Sequence, residues 1–87
     1  MLIQMLMFPG MTLLDLVGPA QVWSFLPDAE IQYVARQRGA VPTDCGVTVN
    51  ATHDFSTAAE KPDVMFIGGA GRATFEAIAD EALLAFL

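Results

Sequence analysis

The sequence predicts an α/β doubly wound fold, a mostly parallel sheet with helices on both faces, and three observations predict it. Residues 2–8 and 63–69 are nearly continuous apolar runs, the pattern of strands covered on both sides. Segments of strand length alternate with segments of helix length. Each apolar run empties into a loop of small or turn-forming residues, Pro9 and Gly10 after the first and Gly68, Gly69 and Gly71 after the second, ahead of a helical stretch.

Residues 2–8 are expected to form the central strand. A helix from about Leu13 to Phe25 follows, with Leu13, Leu16, Val17, Ala20 and Trp23 at spacings of three and four that give one apolar stripe. Thr12 is placed to act as its N-cap, and Asp15, three residues on, can complete a capping box. Pro19 has no N–H to offer the carbonyl of Asp15, so a kink is expected there.

Residues 30–36 alternate apolar and polar side chains in their first half, as in a strand nearer the sheet edge. About a dozen helical residues between the two strands require a parallel pair with a right-handed crossover. Residues 37–44 are rich in turn formers, and 46–50 are β-prone, part of an excursion or hairpin whose partner is open.

Residues 54–59 predict a turn begun by Asp54 or Ser56, broken by Lys61 and Pro62. After the second apolar strand, a helix carrying Thr74, Phe75, Ile78 and Ala79 and a final apolar helical run are expected.

Hydrophobic residues make up 54% of the chain and charged ones 16%, a surplus of apolar surface for 87 residues. The last run, 79–87, stops on apolar residues without a closing glycine, asparagine or basic residue. Residues 1–87 are therefore expected to be the N-terminal part of one larger domain, with an apolar face left for the rest of it or for a partner.

A net charge of −6 with four Lys and Arg opposes binding to nucleic acid or to an anionic membrane. The apolar start lacks a basic n-region and a cleavage site and is too short to span a bilayer. One cysteine cannot form an internal disulfide, so a cytoplasmic location is expected.

In open parallel sheets, ligands bind beyond the carboxyl ends of the strands. Two loops occupy that position here, 9–15 and 68–72. Asp15 is the carboxylate of the first, set among Leu13, Leu14, Leu16 and Val17, where a charge needs a polar partner or a proton. Capping and active-site roles for it can coexist. Gly68 and Gly69 can turn successive backbone N–H groups into one concavity, an oxyanion or phosphate cradle; a tight turn without chemistry uses the same residues.

Residues 69–74 match a dinucleotide fingerprint poorly, because Thr74 fills its third small position. Cys45, beside Asp44 in a turn, is a weak candidate nucleophile. His53 has no second His or Cys at ligand spacing, so it reads as a solvated loop residue and not as part of a metal site. The methionines are dispersed and suit core filling.

Leu14-Asp-Leu-Val-Gly-Pro19 after a strand ending Phe8-Pro-Gly10, with Val64-Met-Phe-Ile-Gly-Gly69 about fifty residues later, resembles the start of the ThiJ/PfpI superfamily, and within it the isonitrile hydratases. The resemblance spans all 87 residues as the N-terminal half of a longer domain. It implies a flavodoxin-like sandwich with a nucleophilic cysteine on a strand-to-helix elbow downstream of residue 87, Asp15 as that cysteine's acidic partner, and the amide of Gly69, with Gly68 beside it, on the oxyanion side.

The reaction so implied is hydration of an isocyanide to an N-substituted formamide, without metal or organic cofactor, in a homodimer. Two departures stand out: Ile67 replaces the proline many relatives carry before the glycine pair, and Ala70 follows it. The same opening also resembles the ligand-sensing half of AraC-type transcription regulators, in which a small metabolite would bind without turnover. Stress-related or glyoxalase-like members of the superfamily usually carry Glu in place of Asp15.

Overall fold

The computed structural model describes residues 1–68. Within them β1 (Leu2–Leu6), α1 (Leu13–Trp23), β2 (Glu30–Ala35), β3 (Gly39–Pro42), β4 (Thr48–Ala51), β5 (His53–Asp54) and β6 (Val64–Ile67) follow in order. Four strands form one parallel sheet in the order β5-β2-β1-β6, and β3 and β4 form a separate antiparallel pair. The expected α/β architecture with β1 inside the sheet is what the chain adopts. The helices expected after Gly68 lie outside the described residues.

The apolar character of β1 follows from its position between two neighbours. Ile3, Met5 and Leu6 are no more than 2% exposed, and Met7 and Phe8 continue the core beyond the strand end. Asp63 starts β6 in register: its carboxylate accepts from the Leu2 amide at 2.7 Å, and its own amide donates to the Leu2 carbonyl at 2.8 Å.

Parallel register puts Met5, Tyr33 and Phe66 on one face. The helix lies there, because Trp23 of α1 packs on Phe66, with Leu16 and Ala20 as its buried stripe.

Gln4, Gln32 and Met65 share the opposite face by the same register. Gln4 interrupts the apolar run of β1 yet is fully buried. Its amide donates to Gln32 Oε1 at 3.2 Å and to the Ala59 carbonyl at 2.6 Å, while the Ala59 amide donates to the same Gln32 oxygen at 3.1 Å. Two side-chain amides thus hold the backbone of one loop residue against the sheet, satisfying groups that burial would otherwise leave costly.

β2 is bordered by β5 along Val34 and Ala35 alone, which fits its half-alternating pattern and near-edge placement. The hairpin partner left open by the sequence is residues 39–42, where a turn-rich stretch was expected; Val41 pairs with Val49. His53 is a correction: it sits on the edge strand β5, half-buried, with Nδ1 2.8 Å from the Thr52 hydroxyl, because Val34 offers the ladder a partner at that point. Asp54 does begin the following turn, its Oδ1 accepting from the amides of Ser56 and Thr57, each at 2.9 Å.

Candidate functional site

The helix is continuous through Pro19 and ends at Trp23, short of the expected Phe25, with the Ser24 amide still reaching the Ala20 carbonyl at 2.9 Å. One correction concerns its start. Thr12 occupies the N-cap position with extended backbone, but its side chain makes no capping bond. The cap comes from Asp44, whose Oδ1 accepts from the Leu13 amide at 3.3 Å across 31 residues of chain.

Around that contact the hairpin tip lies along the β1–α1 loop. The Gly10 amide donates to the Pro42 carbonyl at 2.9 Å, the Asp44 amide to the Met11 carbonyl at 2.9 Å, and Met11 and Thr43 form a parallel bridge. The Thr43 hydroxyl donates to the Val47 carbonyl at 2.5 Å, closing the tip on itself.

The strand order changes direction at β1: β2 lies on one side and β6 on the other. The crevice of an open α/β sheet forms at such a point, between the loops leaving the two strands. Asp15 and Gly68 occupy the two sides of it. A Cβ built on Gly68 would lie 3.3 Å from the Asp15 Cβ and 3.5 Å from Phe66 Cε1. Glycine at position 68 is therefore explained by close approach of the strand end to the first turn of α1.

The enclosure expected for Asp15 is not there among the described residues. Asp15 is exposed, and its neighbours Leu14 and Val17, 72% and 40% exposed, point outward with it. The helical phase decides this: with Leu16 and Ala20 turned inward to the sheet, residues 14, 15 and 17 fall on the outer half of the helix. The side chain nonetheless stands beside Gly68 rather than on the far side of the helix. Gly69, the second glycine expected to offer an amide, lies outside the described residues.

Other candidates fall elsewhere. Cys45 is exposed at the hairpin tip, its sulfur 3.6 Å from the Thr43 hydroxyl. Among the described residues, no group of three His, Cys, Asp or Glu could hold a metal ion, and no helix is long and apolar enough to cross a membrane.

The sequence did not indicate a cavity of about 250 Å³ beyond the carboxyl ends of β1 and β2, lined by Met7, Phe8, Ala35, Val41 and Phe55 with Arg36. Its walls come from four separate segments, so spacing along the chain carries no trace of it. Asp44 was missed for the same reason: only its place in a turn was visible.

The chain resembles several solved structures. A ThiJ/PfpI family protein from Pseudomonas syringae is 38% identical with a TM-score of 0.94, over 98% of this chain and 35% of that one. A mutant DJ-1 superfamily protein from Salmonella typhimurium is 17% identical, TM-score 0.84, over 98% of this chain and 46% of that one. Oxidized DJ-1 from Toxoplasma gondii is 18% identical, TM-score 0.72, over 98% and 47%.

The last two share the fold, and this chain spans less than half the length of each of the three. No protein-family model and no curated protein matches it. The mostly parallel sheet and its helix are thus an α/β fragment of flavodoxin-like type. The solved structures it resembles are ThiJ/PfpI and DJ-1 superfamily proteins, and sheet order and fold agree with theirs.

Proposed function

We propose that the intact protein is a cofactor-independent lyase of the isonitrile hydratase type, with Asp15 as its acid–base group, the amides of Gly68 and Gly69 on the oxyanion side, and a cysteine nucleophile from polypeptide beyond residue 87. The observation that carries this reading is the apposition of Asp15 and Gly68 at the point where the strand order reverses. With the Asp15 Cβ beside Gly68, a carboxylate and a backbone amide would both come within reach of a reacting atom held at that junction.

Asp15, protonated at the start, would give and take a proton twice. The cysteine thiolate bonds to the terminal carbon of R–N≡C while Asp15 delivers its proton to that carbon, giving an enzyme-bound thioformimidate, R–N=CH–S–Cys. Water then attacks the same carbon and loses a proton to Asp15, which passes it to the nitrogen. The new hydroxyl returns its proton to Asp15 as the carbon–sulfur bond breaks, releasing R–NH–CHO and the thiolate and restoring the starting state.

The protein is proposed to work as a cytoplasmic homodimer. The apolar side chains exposed on and just after α1, Leu14, Val22 and Phe25, support burial against further protein surface.

The test is formamide production from cyclohexyl isocyanide by the intact protein. Asp15→Asn is expected to lower turnover at least about a hundredfold, and Cys45→Ser to leave it nearly unaltered. Undiminished turnover in Asp15→Asn would remove Asp15 from the chemistry, and absence of turnover across a panel of isocyanides would remove the reaction.

A further inference from the structure

We propose that Asp44 is the positioning residue of the site: from the tip of the β3–β4 hairpin it sets the first turn of α1 and so places Asp15 against Gly68. This rests on the reading of Asp15 as the acid–base group.

The residue expected to cap the helix, Thr12, does not do so. The Leu13 amide is met by Asp44 Oδ1 at 3.3 Å, and the Asp44 amide in turn holds the Met11 carbonyl at 2.9 Å. One residue therefore grips both ends of the dipeptide unit in which extended backbone turns into helix. A carboxylate at that end also suits the positive pole of the helix. Bonds from Gly10 to Pro42 and the Met11–Thr43 bridge make the same loop the seat of the whole hairpin tip.

Asp15 is two residues beyond Leu13, and its amide is bonded to the Thr12 carbonyl at 3.2 Å. A rotation of the first turn is passed on to its Cβ without slack, because backbone geometry joins the two. On the other side, a Cβ on Gly68 would lie 3.3 Å from the Asp15 Cβ, a few tenths of an ångström closer than comfortable contact, so the helix start and the strand end approach as nearly as glycine allows. A site with so little clearance needs the helix start fixed, and an isolated first turn, with its amides unpaired, is the part of a helix that frays. Asp44 supplies the missing constraint from a distant element.

The experiment compares Asp44→Ala, Asp44→Asn and Asp44→Glu in the intact protein by two readouts, kcat and KM for cyclohexyl isocyanide and hydrogen exchange at the Leu13 amide. Asparagine keeps the acceptor oxygen at the same reach; glutamate keeps the charge but moves the carboxylate off the amide. Asp44→Ala and Asp44→Glu are expected to lower kcat about tenfold, the scale of a slightly misplaced group, with KM little changed and faster exchange at Leu13. Asp44→Asn is expected to recover most of kcat and the protection.

Equal loss in Asp44→Asn and Asp44→Ala, or wild-type kcat and exchange in Asp44→Glu, would overturn the positioning role. Should Asp44→Ala fail to fold, the Asn and Glu pair decides the matter. If the wild-type protein turns over no isocyanide, the reaction fails, and the exchange readout alone then decides whether Asp44 fixes the turn.

Discussion

Trp23 and Phe66 meet edge to face, with ring centroids 5.4 Å apart and planes at 82°. The pair joins the last turn of α1 to β6, so the helix that opens with the Asp15 turn is fastened at its other end to the strand that leads to Gly68. Asp44 and Trp23 thus hold the two ends of the element on which the site depends.

Trp23→Ala is expected to cost about 2 kcal/mol, less than a fully buried tryptophan because Trp23 is half-buried. In a double-mutant cycle with Phe66→Leu, the coupling should be about 1 kcal/mol, the usual value of an edge-to-face pair. Urea denaturation of the four proteins measures it, and strict additivity would mean that the ring contact contributes only area.

Gly68→Ala tests the close approach directly. Its methyl group would press on the Asp15 Cβ, which cannot yield without the helix backbone. Turnover of cyclohexyl isocyanide is expected to fall about tenfold in kcat, and an unaltered kcat would show that the junction has room to spare.

The two buried glutamines should differ in a definite order. Gln32→Met leaves the Ala59 amide and one N–H of Gln4 without their acceptor, at a cost of about 2 kcal/mol. Gln4→Met also loses two bonds, but it removes Gln4 Oε1, a buried acceptor that itself has no partner, so about 1 kcal/mol is expected. Chemical denaturation that ranked Gln4→Met as the more damaging would contradict this account of the clamp on Ala59.

Asp54 makes part of the stability depend on pH. The Ser56 hydroxyl, bonded to Oδ1 at 2.6 Å, is the main cause that holds its carboxyl below the ordinary carboxylate value; the amides of Ser56 and Thr57 add to it. A folded-state value below the unfolded one stabilises the fold above the unfolded pKa of about 3.9, and the contribution is lost as pH falls through the folded value. Between about pH 5 and about pH 2, the urea midpoint of the wild type should therefore fall further than that of Asp54→Asn. Parallel decline in the two proteins would show that the turn adds nothing to the acid sensitivity.

The chain's own order of apolar and polar residues determined the α/β class, the central place of β1, the parallel pairing of β1 with β2, and the turn at Asp54. These are local matters, since strand and helix periodicity and turn chemistry are written within a few residues. Asp15 and the glycines after β6 could be named as candidates because position relative to a strand end is also local.

Only the tertiary structure decided which groups meet. It gave the helix cap to Asp44 instead of Thr12, put His53 on an edge strand, turned Asp15 outward while bringing its Cβ beside Gly68, and buried Gln4 on the bonds it makes to Gln32 and Ala59. Each of these contacts joins residues far apart along the chain. Their geometry depends on how the hairpin, the helix and the sheet pack, and no spacing in the sequence encodes it.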